Sequence, residues 1–469
     1  MLDVEDTAID SALPLALRDE EGEVRADFVA EVARAIDAQD RERLTELASA
    51  LHEADQGALL EALEPDDRPR LIELLGDGFD FAALTEVDDS VREEILDELD
   101  AETVAEGVRD LESDDAVYIL EDLDAEEQAE ILDALPALER VALRKSLDYP
   151  EDSAGRLMST DFVAVPPFWT VGQVIDHLRE AGDDAPDSFF EIFVVDPGHR
   201  LLGNVFLDRL VRSKRTVKLE TIMAERRRVE ATDDQEEVAR LFERYNLVSV
   251  PVVDEAERLV GVITIDDVVD VIQEEADEDV KALGGVKSDE ELSDSVLFIA
   301  RSRFGWLFIN LITAFIASSV LGLFEQSLQK MVALAVLAPI VAGQGGNAAT
   351  QTMTVAVRAL ATRELGPANA LRVTFRETIV GLLNGLGFGF LTGLGAALWF
   401  ADWNLGLVIA AAMTVNLVAG ALAGILVPLA LDRWRADPAV SSGVFVTTVT
   451  DVVGFFAFLG IATLWFGLY

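Results

Sequence analysis

Five long apolar segments near the C-terminal end constrain this chain more than any other feature. They run at about Phe304–Phe324, Met331–Val357, Thr378–Phe400, Leu405–Leu431 and Val444–Leu468, each long enough to cross a hydrocarbon core of ~30 Å as a helix. Charge avoids them. Seven acidic and nine basic residues lie from Arg301 to Tyr469, leaving 80 acidic and 28 basic before Arg301, so the two parts carry net +2 and −52. Lipid is the expected solvent of the second part and water that of the first. The arginines orient the spans: Arg301 and Arg303 precede the first, Arg358, Arg363, Arg372 and Arg376 lie between the second and third, and Arg433 and Arg435 between the fourth and fifth. The opposite loops hold only Lys330. The positive-inside bias then predicts a multi-pass protein of the cell membrane with its N-terminus cytoplasmic and its C-terminus outside. The start, MLDVEDTAID, has neither the basic patch nor the apolar run of a signal peptide, which agrees.

The acidic excess argues against nucleic-acid binding, which needs a basic surface to release counterions from phosphate. It fits a protein from a salt-adapted organism, kept hydrated by dense carboxylates. With no cysteine and only His52, His177 and His199, thiolate and His-rich zinc or copper sites are excluded. Any metal handled here takes oxygen ligands, which points to magnesium, calcium or manganese. No nucleophile–base pair, phosphate-binding loop or cofactor motif is present, so an enzyme is not expected.

The expected fold class is a multi-domain membrane protein: an all-α superhelical N-terminal domain, an α/β repeat pair and an α-helical domain of five spans. Residues 1–148 read as the helical domain, because segments such as TEVDDSVREEILDELD and DAEEQAEILDAL place apolar residues three and four apart, with acids near each start. Residues 149–265 hold the repeat, in copies at about 156–219 and 220–265. The order strand, helix, strand, turn, strand, helix occurs twice, with β-branched strands such as EIFVVD and VSVPVVD. Residues 266–300 form a connector, in which Val268, Val271, Ile272 and Val280 make an apolar stripe and the remaining positions crowd acids together. Like charges at helical spacing repel, so such a helix would respond to divalent cations. Residues 301–469 form the membrane domain.

Within the spans, Gly381, Gly385, Gly389 and Gly393, then Gly420 and Gly424, repeat at four-residue spacing, a pattern that lets helices approach closely. Two features ask for more than packing. The second span carries Pro339 and then Gly343-Gln-Gly-Gly-Asn347, which predicts an interrupted helix with carbonyls available at membrane depth. The fifth carries Asp451, the only acid deep in any span. An unpaired carboxylate there costs at least ~2.5–3.5 kcal/mol, and Thr447 lies one turn earlier on the same face. A cation site is the expected reading.

The repeat resembles a tandem pair of CBS domains. In the second copy Gly261-Val-Ile-Thr264-Ile-Asp-Asp267 matches that family's nucleotide pattern, whereas the first copy has Phe206 and Arg209 in place of the hydroxyl and the acid. The resemblance implies one adenine-nucleotide site, for ATP, at Thr264 and Asp267. Nearly the whole chain, in order, resembles the MgtE family of magnesium channels. The likeness rests on Tyr149–Met158, on Pro339 with Gly343–Asn347, Gln351 and Val357–Ala361, and on Asp437-Pro438 with Phe445–Thr448 and Asp451–Gly454. It implies a homodimer with the pore on its two-fold axis, importing Mg2+, with Asp451 as pore acid and Gly343, Asn347 and Thr447 holding the ion's water shell. Thr447 stands where some members have alanine, and Gly443 replaces an expected polar residue. The resemblance further implies closure by Mg2+ bound at Asp267, Asp270, Glu275, Glu278 and Asp279 on the connector, Asp234 and Glu236 on the CBS pair, and Asp114 or Asp115 on the helical domain. Asn246 stands where the family has an acid. Whether Co2+ or Mn2+ also permeates stays open. A nucleotide-sensing membrane regulator without conduction is the alternative; Asp451 opposes it, since an anchor has no use for an acid in lipid.

Overall fold

The computed structural model describes residues 17–121, 123–182, 185–186, 188–224, 227–288, 290–291, 294–434 and 438–468. The chain forms two compact units, Met1–Glu274 and Glu275–Tyr469. Arg435 and Asp437, used above for topology and resemblance, lie outside the described residues.

The first unit opens with helices α1 (Ala26–Ala38), α2 (Arg41–Ala48), α3 (Glu53–Ala62), α4 (Arg68–Leu75), α5 (Asp89–Glu98), α6 (Ala101–Arg109), α7 (Ser113–Glu121), α8 (Ala125–Ala134) and α9 (Ala137–Leu147). Helices this short are marginal alone and depend on tertiary packing. The acids at their starts cap them: Asp40 and Asp100 accept from the third backbone N–H, and Asp124 forms a reciprocal capping box with Glu127. One shared core buries Phe28, Ile36, Leu44, Leu59, Leu84, Ile95 and Ile119. A charge is buried with them. Arg92 is 1% exposed, donates to the Leu84 and Val87 carbonyls at 3.3 and 3.4 Å and to Asp89 at 2.6 Å, and lies 4.4 Å above the Tyr118 ring.

After α10 (Ala154–Leu157), the repeat follows: β1 (Ala164–Val165), α11 (Val171–Ala181), β2 (Glu191–Val195), β3 (Leu201–Phe206) and α12 (Leu207–Arg212), then β4 (Val229–Glu230), α13 (Gln235–Tyr245), β5 (Ser249–Val253), β6 (Leu259–Thr264) and α14 (Ile265–Leu283). Each copy builds a three-stranded sheet, ordered β1-β2-β3 and β4-β5-β6, with its first pair parallel and its second antiparallel. The copies share their irregularities. Both registers slip at the same place, Val194/Val195 and Val252/Val253, and both hairpins carry a positive φ, at His199 (63°) and Glu257 (61°). Asp196 and Asp254 stabilise those turns by accepting backbone N–H groups two and four residues on. Gly203 and Gly261 hold equivalent strand positions with no room for a side chain: a Cβ would come within 2.6 Å of the Ala224 carbonyl or 2.5 Å of Met158 Sδ. A polar bridge joins the copies, as buried Glu191 accepts from Asn204 and, at 2.7 Å, from Ser249 Oγ.

The helical array docks on the repeat through small polar groups. Ser113 Oγ accepts from the Thr160 N–H at 2.7 Å and from Thr160 Oγ1 at 2.9 Å, and Arg156 pairs with Glu121 at 2.9 Å. Of the connector's predicted stripe, Val268 and Val271 are buried in the second copy's core, but Ile272 and Val280 are 45% and 69% exposed. The stripe is therefore half as long as its periodicity suggests, because the core it serves ends with the repeat.

In the second unit, α15 (Val296–Leu323), α17 (Val332–Ala361), α18 (Ala370–Phe400), α19 (Trp403–Arg433) and α20 (Pro438–Phe466) are long and apolar enough to cross a membrane; the short α16 (Glu325–Lys330) joins the first two. Ala317 is the one buried residue of α15. Glycine carries the packing of α18 on α19: a Cβ on Gly389 or Gly393 would sit 2.6 Å from the Ala410 or Gly406 carbonyl. Gly420 and Gly424 do the same for α19 on α17, against the carbonyls of Gly345 (2.8 Å) and Ala349 (2.6 Å). The predicted interruption of the second span is absent. α17 runs unbroken through Pro339 and the glycines. The proline removes only the donor for the Ala335 carbonyl, and of the glycines, each about 1 kcal/mol poorer than alanine in a helix, Gly345 is approached closely by the backbone of α19 at Gly420.

Candidate ion path and cation sensor

Helices α17 and α20 meet where Gly346 faces Thr450, with a Cβ on the glycine 3.8 Å from Thr450 Oγ1. That contact sets the turn holding Gly343 and Asn347 beside the turn holding Thr447 and Asp451. Helical spacing separates two faces of α17. Val341, Gly345, Ala349 and Met353 are buried, whereas Gly343, Asn347, Thr350, Gln351 and Thr354 are exposed in the single chain. From Gly343 to Thr354 the exposed face is thus mainly polar, whereas Val332, Val336 and Ile340 earlier on the helix are exposed and apolar.

On α20, the hydroxyls of Thr447, Thr448 and Thr450 donate to carbonyls of their own helix, at 2.9, 2.6 and 2.9 Å. With their protons so engaged, their free lone pairs are acceptors. Asp451 is half-buried, and among the described residues its carboxylate has no hydrogen-bond or ion-pair partner. Acceptors grouped around one unpaired acid can take hydrogen bonds from the water shell of a cation without stripping it. The end of the connector lies close by: Ala282 is buried with Ala349, Met353, Val357, Ala423, Ala439 and Val446, and Leu283 packs against the same cluster. Ala349 and Val446 are neighbours in sequence of Asn347 and Thr447. The linker beyond is clamped to α15 by an ion pair between Arg303 and Glu290.

The first unit holds a second concentration of acids, where the helical array faces the start of α14. Asp114 stands in the first turn of α7; its Oδ1 is shut off from solvent and has no hydrogen-bond partner among the described residues. Burial, then Asp267, Asp115 and Glu112, push its carboxyl well above the usual range. Burial raises Asp115 to about 6, helped by Glu112, Glu53, Glu86 and Asp266. Asp267 reaches about 7, mainly through burial; Thr264, donating at 2.9 Å, pulls the other way while Asp266 adds to the rise. Glu274 also reaches about 7 through desolvation and the charges of Asp89, Asp270 and Asp152, with Arg92 opposing. Asp270 is raised by burial and Asp266, and Glu86 by burial, Asp270 and Glu53. Each acid therefore makes its neighbours harder to ionise. Among the described residues no three acids converge as a ready-made metal cage.

The other expected sensor residues are placed differently. Asp234 caps α13 by accepting from the Glu236 N–H at 2.9 Å, and Glu236 pairs with Arg240. Glu275, Glu278 and Asp279 lie beyond the first unit on the later turns of α14. Thr264 and Asp267, the candidate nucleotide pair, are bonded to each other, so the same aspartate serves two expected roles. Glu86, Asp152 and Glu274 were not singled out from sequence. No local pattern separates Glu86 and Asp152 from the acidic background, whereas the charge crowding along α14 does include Glu274.

Comparison with known proteins adds to this geometry. Residues 338–461 match a family described as MgtE, divalent cation transporter; residues 51–152 match the MgtE intracellular N domain, and residues 154–215 and 221–274 match CBS domains. The magnesium transporter MgtE of Enterococcus faecalis is 35% identical over 95% of this chain and 98% of its own length. Those of Thermus thermophilus and Bacillus subtilis are 40% and 33% identical over 67% and 69% of this chain, and 70% and 71% of theirs. Three family models matched in order along the chain, and a relative 35% identical over 95% of it, show that the chain belongs to the MgtE family.

Proposed function

We propose that this chain is a magnesium channel of the cell membrane that admits Mg2+ to the cytoplasm and is closed by Mg2+ bound to its acidic cytoplasmic part. The observation that carries the reading is Asp451: an acid without a partner among the described residues, set in an apolar helix beside the polar face of α17. In a homodimer two such carboxylates would balance the charge of one Mg2+. Gly343, Asn347 and Thr447 would accept from its waters, which suits an ion that dehydrates reluctantly. The cytoplasmic end is the one bearing the arginines, with the N-terminus inside and the C-terminus outside.

The regulatory half rests on the raised carboxyls of Asp114, Asp115, Asp267 and Glu274. When they are ionised and bare, the helical array and α14 repel. Mg2+ among them relieves the repulsion, and because it keeps several waters it needs no preformed cage. Asp270, Glu275, Glu278 and Asp279 would take part along α14, with Asp234 and Glu236 on the repeat. The end of that helix, at Ala282 and Leu283, already touches the turns next to Asn347 and Thr447. An ATP bound at Thr264 would compete for Asp267 and so tune the threshold. The surplus of surface acid beyond these residues suits a salt-adapted organism.

The test is Mg2+ uptake into liposomes carrying wild type or Asp451→Asn, with Mg2+ absent or millimolar on the sensor side. The reading expects uptake to fall by at least about tenfold in the variant, because neutralising one buried charge is worth more than ~1.4 kcal/mol to a hydrated dication. It also expects wild-type uptake to be suppressed by Mg2+ on the sensor side. Uptake unaffected by the substitution sinks the conduction reading, and uptake indifferent to sensor-side Mg2+ sinks the gating reading. Competition by Co2+ and Mn2+ in the same assay decides whether those ions share the path.

A further inference from the structure

On the side of α17 away from Gly343 and Asn347, one polar side chain enters from the neighbouring helix. Asn416 of α19 is 0% exposed, and its Nδ2 donates to the Val341 carbonyl at 2.8 Å. The opposite amide orientation would set oxygen against oxygen. Its Oδ1 has no hydrogen-bond partner among the described residues. The carboxamide fills a slot between glycines of two different helices: a Cβ on Gly345 of α17 would lie 2.0 Å from Nδ2, and one on Gly454 of α20 would lie 2.6 Å from it. Gly345 is two residues from both Gly343 and Asn347, and Gly454 is three residues past Asp451.

Packing alone would be served better by leucine, which has similar bulk and no amide to desolvate. A buried acceptor left unsatisfied is a standing cost, and in an apolar helix a polar group marks a functional demand. The demand is legible in what the amide touches. It bonds the carbonyl of Val341, one turn before Gly345, and it keeps α17 and α20 apart by the thickness of one planar group.

We propose that Asn416 is a positioning residue for ion selection: its carboxamide, wedged between Gly345 and Gly454 and tied to the Val341 carbonyl, sets the spacing of α17 from α20 and hence of Asn347 from Asp451. This rests on the reading of those two residues as ion-facing. A site that recognises a hydrated ion by its water shell discriminates by spacing, so a small shift of one helix changes which ion fits without stopping conduction.

The experiment uses the full chain reconstituted in liposomes, with Mg2+ and the larger Ca2+ as probes. Asn416→Leu keeps the bulk and loses the bond. Its preference for Mg2+ over Ca2+ is expected to fall about fivefold, the equivalent of one net hydrogen bond, while Mg2+ uptake persists. A preference within about twofold of wild type, with Asp451→Asn inactive in parallel, overturns the proposal and leaves the ion path standing. If Asp451→Asn conducts like wild type, the ion path falls and the selective role falls with it. A second readout needs no flux. Gly345→Ala should abolish the yield of monodisperse, detergent-stable protein, and Asn416→Ala in the same chain should restore it, because the new methyl group enters the slot the amide vacated. Absence of rescue overturns the wedge, even if Asn416→Leu does not fold.

Discussion

Asp267→Asn isolates the cost of the acid cluster with little change in shape, because the asparagine carbonyl can still accept from Thr264 Oγ1, the donor at 2.9 Å. In the unfolded chain this carboxyl ionises near 3.8; in the fold it is pushed up to about 7. Between those values the native state holds the extra proton, so stability falls as pH rises through the window and is flat above it. Three units at ~1.4 kcal/mol each set an upper bound of ~4 kcal/mol. About half should survive once neighbouring acids relax, since Asp114 and Asp115 share the same field and contributions within one network do not add. For a unit of this size, ~2 kcal/mol corresponds to a rise of ~4–8 °C in the unfolding temperature. The assay is thermal unfolding of the full-length chain in chelator at about pH 5 and about pH 8, windows on either side of the folded carboxyl. Glu64→Gln, an exposed acid outside the cluster, controls for the general relief of negative charge. The expected result is a gain for Asp267→Asn over Glu64→Gln at the higher pH that shrinks to under about half at the lower, where the unfolded carboxyl is still ionised, with millimolar Mg2+ raising wild type toward the variant. Equal gains for both substitutions, or a gain that grows as pH falls, would refute the reasoning.

Two other outcomes follow from groups described above. Arg92→Met should destabilise the helical array by roughly 3 kcal/mol, because two carbonyls and Asp89 lose a buried charged donor; circular dichroism melts of the full chain check it, and a loss below about 1 kcal/mol would mean the guanidinium is held without consequence. Gly393→Val should prevent α18 from seating on α19, since even its Cβ would lie 2.6 Å from the Gly406 carbonyl; gel filtration in detergent should show lost or aggregated protein, whereas Gly395→Val, at a position open to its surroundings, should be tolerated.

How much of this was legible beforehand depends on how local each cause is. The spans were, because twenty apolar residues in a row have few alternatives, and so was the repeat, whose β-branched strands and Asp-led turns recur. The continuity of α17 was not. Proline and glycine are strong local signals of a break, but that helix packs backbone to backbone against Gly420 and Gly424 of another helix, a contact that no window on the sequence contains. The connector's stripe misled for a related reason: Ile272 and Val280 keep the period of a buried face although the core beside them has ended. Charge crowding singled out Asp267 and Asp270, but the acids that raise them and their neighbours, among them Glu53, Glu86 and Asp115, lie some 150 to 215 residues away in the chain. Asn416 did carry a signal, a lone amide well inside an apolar run, yet only the two glycines facing it say what it is for.

The interlocked glycines of α18 and α19 have a mechanical meaning. Two rods whose main chains touch along several turns have no side-chain cushion between them, so neither can slide or roll without atoms colliding. The pair therefore shifts as a single stiff strut. Whatever rearrangement opens or shuts a route for ions must leave that strut whole and be taken up by other parts of the molecule.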